Sequence, residues 1–239
     1  MGESMSKAFE RQYRHRSGNG LLARLFLPIE CLGCGKETDW ICADCQRDLV
    51  ITRSTICVIC GKAGLDGLCD RCRTETGLAG VVSLLPYHYP PVQRLVRAVK
   101  FAGQFDGLLF FTETFGRKLL KRIPDDSWTL APVPLSKERQ RQRGFNQAQL
   151  LAEHLSKNCQ WPIWRGLKRT RHTAAQAELN AKERAKNMRG AFIVEGGTAP
   201  ELVILVDDVI TTGSTICAAT RALKKAGSKT IWAVMIAHG

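Results

Sequence analysis

The sequence predicts an α/β protein, a mostly parallel sheet with helices on both faces, preceded by a small module built on cysteines. Three observations carry that reading. From Val81 onward, apolar strand-like runs alternate with amphipathic helix-like runs, the pattern of a parallel sheet covered on both sides. Leu202 to Val206 is continuously apolar, as a central strand must be, and stops abruptly at Asp207 and Asp208. Eight of the ten cysteines fall in four C-x2-C pairs between residues 31 and 72. At 239 residues, 44% apolar and 24% charged, the chain can build one sizeable core with an appendage, and its composition excludes collagen-like and disordered classes. No apolar run approaches the ~20 residues that span a bilayer, so membrane insertion is not expected.

Residues 1–27 read as an N-terminal tail and lead-in: residues 1–20 are polar, basic and glycine-containing, and Leu21 to Ile29 reads as a short helical turn leading into the cysteine module. The stretch LLARLFLPI is interrupted by Arg24 and has no small-residue cleavage site, so a signal peptide is not expected. The expected location is the cytoplasm, where thiols stay reduced and regularly spaced cysteines point to metal rather than disulfides.

Residues 28–77 contain the pairs Cys31/Cys34, Cys42/Cys45, Cys57/Cys60 and Cys69/Cys72. CLGCGKETDWICADC and CVICGKAGLDGLCDRC form an internal repeat, each with C-x2-C-G-K followed by a second C-x2-C. A C-x2-C turn presents two thiolates on one side of a tight knuckle, and two such turns supply the tetrahedral sulfur set that zinc prefers. Gly35 and Gly61, just past each knuckle, permit left-handed backbone that turns amides toward sulfur. With every ligand a thiolate, the two expected zinc sites are structural and provide folding energy to a segment too small to hold itself by burial. The simplest pairing is sequential, and an interleaved one satisfies the same spacing. Cys159 and Cys217 lie outside the repeat and read as small core residues.

Residues 78–239 form the second expected domain. VVSLLPYHY reads as extended, PPVQRLVRAVKF as a helix opened by proline, and FDGLLFFTETFGRKLLKRI as a second helix. TLAPVPL is a buried strand ending in a loop, and FNQAQLLAEHLSKN an amphipathic helix with Leu150, Leu151 and Leu155 on its face. LKRTRHTAAQAELNAKERAKNMRGAF is a polar, basic loop or exposed helix before the short strand AFIV. The chain closes with strand ELVILV, loop DDVITTGST, helix ICAATRALKKAG ending at Gly227, and strand TIWAVMIA.

The formal net charge is +13, from 35 basic and 22 acidic side chains. The excess lies in residues 81–239 and is densest from Lys137 to Arg189, where 13 basic residues face 4 acidic ones. Such a field attracts phosphorylated metabolites or nucleic acid.

Parallel sheets bind ligands at the carboxyl ends of their strands, and Asp207 and Asp208 stand at such an end. Thr211, Thr212, Gly213, Ser214 and Thr215 follow and open a helix. Amides at a helix N-terminus, a glycine that allows close approach, and hydroxyl donors make a phosphate cradle. Two carboxylates beside a phosphate would repel it, so they accept hydrogen bonds from neutral hydroxyls or hold a hydrated Mg²⁺. Cradle plus diol acceptors describes a phosphorylated ribose, and the absence of G-x4-G-K-[ST] argues against a P-loop nucleotide hydrolase. Val133, Pro134, Leu135 and Ser136 form a loop at another strand's carboxyl end, followed by Lys137, Arg139, Arg141 and Arg143, cations suited to a diphosphate.

Glu201 to Thr215 resembles the phosphoribosyl-pyrophosphate (PRPP) motif of type I phosphoribosyltransferases. The cysteine repeat, YHYPPVQRLVRAVKFAG, VPLSKERQRQRGFNQAQLLA, the LKRTRH block and VDDVITTGST follow in the order seen in ComF/GntX-type proteins, over residues 28 to 238. The resemblance implies a double zinc ribbon fused to a type I phosphoribosyltransferase-like domain, with PRPP or a related ribose 5-phosphate as ligand, Mg²⁺ accompanying PRPP, and an association with competence proteins and DNA uptake. It implies Asp207 and Asp208 as the catalytic-site carboxylates on the ribose hydroxyls, Thr211 to Thr215 as the 5′-phosphate cradle, and Val133 to Ser136 with Lys137 and Arg139 as the pyrophosphate loop. The reaction of such a site is displacement of pyrophosphate from C1 of PRPP by a nitrogen nucleophile. No general base stands out; His154 and His172 are near only in sequence.

A second expectation belongs to another class: a non-catalytic protein that handles single-stranded DNA on a phosphoribosyltransferase scaffold. Arg141 and Arg143 would contact the strand, and Phe145, Trp161 and Trp164 are available for base stacking or for core packing.

Overall fold

The computed structural model describes residues 29–47, 55–102, 107, 110, 112–114, 120–124, 127–170 and 190–239. The tail 1–28 and the segment 171–189, with His172, lie outside them. In chain order the elements are α1 (Ala43–Arg47), α2 (Asp70–Thr76), β1 (Gly80–Pro86), α3 (Pro90–Ala102), β2 (Thr129–Pro132), α4 (Lys137–Arg143), α5 (Gln147–Cys159), β3 (Leu167–Arg169), β4 (Phe192–Val194), β5 (Leu202–Ile210), α6 (Ser214–Lys225) and β6 (Thr230–His238).

Four strands form a parallel sheet in the order β1-β6-β5-β2, and β3 and β4 pair antiparallel beside it. Side chains alternate between its faces, so β5 and β6 feed two cores. Ile204, Val206 and Val234 point into one, filled by Val92, Leu95 and Val96 of α3 and Leu151 and Leu155 of α5. Val203, Leu205, Ala233 and Met235 point into the other, filled by Ile216, Ala219 and Leu223 of α6. Each buried Val, Leu, Ile or Met among them contributes about 1.5–3 kcal/mol, which is why β5 is apolar on both faces until its last residues.

The cysteine repeat divides between these cores. Leu32, Trp40 and Ile41 of the first knuckle pack into the α3/α5 layer, and Arg94 on α3 donates to the Leu32 carbonyl at 2.7 Å. Val58 and Leu68 of the second knuckle pack into the α6 layer, where the Val81 amide donates to the Asp66 carbonyl at 2.8 Å. The two halves of the repeat therefore sit on opposite faces of one sheet. Spacing alone could not show this, since each half carries its own apolar plug.

Three local expectations need correction. Asp207 to Ile210 belongs to β5 and not to a loop, because β6 continues pairing past it, with Asp207 opposite Met235 and Ile210 opposite His238. Leu167–Arg169, expected within a loop or helix, is strand β3; only Leu167 is buried, and the flanking cations hid the strand pattern. Cys159 and Cys217 are half-buried, and their thiols donate to the Leu155 and Glu75 carbonyls at 2.9 and 3.0 Å. No helix of the described residues is long and apolar enough to cross a membrane.

Candidate functional site

The eight repeat cysteines gather sequentially, Cys31, Cys34, Cys42 and Cys45 in one cluster and Cys57, Cys60, Cys69 and Cys72 in the other, with the sulfurs of each within 4.8 Å of one another. Cys34 and Cys42 sulfurs lie 3.7 Å apart and Cys60 and Cys69 sulfurs 3.6 Å apart. A tetrahedron with Zn–S bonds of ~2.3 Å has edges of about 3.8 Å, so each cluster fits a four-coordinate structural zinc site. Gly35 and Gly61 take φ of +79° and +72° as expected, but their amides close the turn on the Cys31 and Cys57 carbonyls at 2.9 Å. The amides aimed at the Cys31 sulfur come from Gly33 and Cys42, at 3.3 and 3.2 Å. Burial pushes the Cys31 thiol up, yet the amides of Cys42, Cys34 and Gly33 overcome it and bring it down to about 6. Burial opposed by the amides of Cys69, Ile59 and Cys60 leaves Cys57 at about 7, whereas burial and neighbouring sulfurs push Cys45 of the first cluster up to about 12 and also push Cys72 of the second up. Each cluster thus holds one sulfur ready to ionise beside another that resists, a conflict that a divalent ion resolves.

The second candidate site is a cleft of ≈ 450 Å³ at the carboxyl edge of the sheet. β5 brings Asp207 and Asp208, the turn before α6 brings Thr211, the first turn of α6 brings Thr215, and the loop after β2 brings Val133, Pro134 and Leu135. α4 adds Arg139 and Arg143, one helical turn apart, while Tyr87, Gln147 and Arg169 complete the wall. The Asp208 amide donates to the Asp207 carboxylate at 2.9 Å, which fixes that side chain beside the next. Gly213 caps α6 in the left-handed conformation, φ +71°, and the Thr212 and Ser214 hydroxyls share a hydrogen bond of 2.9 Å.

Three guanidiniums thus face two carboxylates. Burial draws Arg143 below its ordinary value, with Asp208 opposing this, Arg139 adding to it and Asp207 opposing it. Arg169 is drawn down by burial and by Arg139, against Asp207. The mutual crowding of these cations is relieved by an anion, and the carboxylates provide acceptors for hydroxyl groups in the same cleft. Two adjacent carboxylates also fit Mg²⁺, which binds through one or two carboxylates plus substrate phosphates.

The remaining predicted residues separate. Ser136 is buried as the N-cap of α4, accepting from the Arg139 amide at 3.3 Å. Lys137 and Arg141 line a neighbouring cleft of ≈ 440 Å³ with Arg165 and Lys168, across the Pro134–Leu135 loop that both clefts share. Trp161 and Trp164 are half-buried against the two cores, and Phe145 is half-buried. His154 lies on α5 with its Nε2 buried. Sequence reasoning missed Tyr87, Gln147 and Arg169. Gln147 is 2% exposed, and its Nε2 has no hydrogen-bond partner among the described residues. Only its place in the F-N-Q run at a helix start hinted at more than core packing. Arg169 reaches the cleft because β3 pairs with β4, placing it opposite Phe192, whose ring lies 5.6 Å below the guanidinium.

Residues 142–239 match the family model of the phosphoribosyl transferase domain. The chain is 32% identical over 202 residues to the DNA utilization protein YhgH of Escherichia coli O157:H7, covering 80% of this chain and 87% of that one. It is 31% identical to competence protein F of Haemophilus influenzae over 217 residues, 80% and 93% of the two chains. It is also 31% identical to competence protein ComFC of Bacillus subtilis over 201 residues, 80% and 81% of the two. With that coverage, the two four-cysteine clusters and the parallel sheet, the chain belongs to the ComF family of proteins with a phosphoribosyltransferase-like domain.

Proposed function

We propose that the chain binds PRPP or a related ribose 5-phosphate in the cleft of Asp207 and Asp208 and serves competence and DNA uptake. The convergence of Asp207, Asp208, Thr211, Thr215, Arg139 and Arg143 on one cleft carries this reading. The carboxylates accept from the ribose hydroxyls, the Thr211–Thr215 turn holds the 5′-phosphate, and Arg139 and Arg143 neutralise the diphosphate. Mg²⁺ bound with the diphosphate would supply further charge neutralisation. In transfer to a nitrogen acceptor, the chain's contribution is positioning and charge stabilisation as pyrophosphate leaves C1. Calorimetric titration of the zinc-loaded protein with PRPP and Mg²⁺ tests the reading. Saturable binding that disappears with Asp207→Asn plus Asp208→Asn is expected; binding indifferent to that change would remove the assignment.

The neighbouring cleft favours a second reading, single-stranded DNA held by its phosphates. Arg165 pairs with Glu153 at 3.0 Å and Lys168 with Glu195 at 3.2 Å, while Lys137 and Arg141 have no carboxylate partner among the described residues. That reading requires affinity that falls steeply with salt and a smaller salt slope for Lys137→Ala plus Arg141→Ala. A salt-independent affinity, or an unchanged slope, rejects it.

A further inference from the structure

The two zinc knuckles differ in what they touch. The first packs under α3, where Arg94 donates to the Leu32 carbonyl. The second reaches the turn before α6. Ile59, between Cys57 and Cys60, lies against Gly213, where an added Cβ would come within 3.1 Å of Ile59 Cδ1 and 3.7 Å of Thr76 Cγ2. The space where a Cβ would stand on Gly213 is therefore already filled by the knuckle tip. One helical turn further on, the Cys217 thiol donates to the Glu75 carbonyl of α2 at 3.0 Å, and the Cys217 amide closes the first turn of α6 on the Gly213 carbonyl at 2.8 Å. Cys57 and Cys72 themselves belong to the core beneath α6 with Ile216 and Ala219.

We propose that the second four-cysteine site is energetically coupled to the Thr211–Thr215 turn through Ile59, which acts as a positioning residue, and that the first site is not. The proposal rests on the reading of that turn as a phosphate cradle. Metal at Cys57, Cys60, Cys69 and Cys72 fixes the knuckle tip, and the tip fixes Gly213 in its left-handed conformation with the helix amides beyond it aimed at the ligand. Zinc loss from this site loosens the cradle without removing any ligand-contacting side chain. Coupling between sites is reciprocal, so a ligand in the cradle must strengthen zinc retention at the second site by the same factor.

The test uses the zinc-loaded full chain, Ile59→Ala and the conservative Ile59→Val. Amide hydrogen exchange at residues 213–217, referenced to the first knuckle in the same molecule, reads the coupling without any ligand. Equilibrium competition for zinc by a chromophoric chelator, with and without saturating PRPP and Mg²⁺, reads its reciprocal. In the native chain, PRPP should tighten the affinity for one of the two zinc equivalents by about fivefold or more and leave the other unchanged. Ile59→Ala should keep both zincs, exchange faster at 213–217, and lose both the protection of zinc and about fivefold in PRPP affinity; Ile59→Val should restore most of each. Unchanged exchange in a zinc-replete Ile59→Ala overturns the coupling, as does equal tightening of both zinc equivalents by the ligand. If native protein binds no PRPP, the ligand assignment fails by itself, and the exchange comparison still decides whether Ile59 holds the turn.

Discussion

Arg141 and Arg143, two residues apart on α4, open into different clefts: Arg143 faces Asp207 and Asp208, while Arg141 faces the cleft with Arg165 and Lys168. On a helix only residues three or four apart share a face, so the cations alternate, Arg139 with Arg143 and Lys137 with Arg141. The loop of Pro134 and Leu135 separates the two sets, and that division makes their roles separable by substitution.

Arg139→Ala or Arg143→Ala is expected to weaken PRPP binding by at least about tenfold, about 1.4 kcal/mol, since each removes a cation facing the carboxylate cleft. Lys137→Ala and Arg141→Ala should leave it within about twofold. Calorimetry on the four variants checks this, and equal losses in both pairs would contradict the partition.

Gln147→Leu is expected to preserve or raise the melting temperature while weakening PRPP binding. A buried amide donor without a partner costs about 1–3 kcal/mol, so its removal is not a loss to the free protein, whereas a ligand oxygen would satisfy it. Lower thermal stability with unchanged affinity would identify Gln147 as packing only.

The zinc pairing is read from double variants. Cys34→Ser with Cys42→Ser alters one cluster and should cost one zinc equivalent, whereas Cys34→Ser with Cys60→Ser alters both and should cost two. Metal analysis of the purified proteins decides, because interleaved pairing gives two lost equivalents for the first combination.

Gly213→Ala places a side chain at φ +71° against Ile59. The left-handed backbone alone costs about 1–2 kcal/mol, which for a chain of this size lowers the melting temperature by about 2–8 °C. Calorimetric melting checks it; a shift under a degree would mean that the turn relaxes freely.

Burial holds the His154 imidazole below its ordinary value, with Glu113 opposing this and Lys157 adding to it. The folded chain therefore favours the neutral ring, the unfolded chain binds the extra proton first, and stability falls as pH drops below about 6.5. His154→Gln should flatten the dependence of the urea midpoint on pH between 6.5 and 5.5 relative to native protein. Parallel curves would show that His154 contributes nothing to it.

Much of this molecule is legible along the chain because its signals are local. C-x2-C turns define their own knuckles, and Gly35 and Gly61 adopt the left-handed backbone that their positions predict. The apolar run ending in Asp207 and Asp208 marks both a central strand and its carboxyl end, and Pro90, Asn146 and the Leu151/Leu155 spacing mark helices α3 and α5. What the tertiary structure alone decided depends on contacts between residues distant in sequence. The sequential pairing of sulfurs, the placement of the two knuckles on opposite faces, and the approach of Ile59 to Gly213 all follow from which core each knuckle's plug enters. Asp207 lies inside a strand because β6 extends its pairing, and Arg169 enters the cleft through pairing with β4. Spacing sets which backbone a segment can adopt, but burial on a shared sheet sets which segments meet, and that choice is made by shape and area across the whole fold.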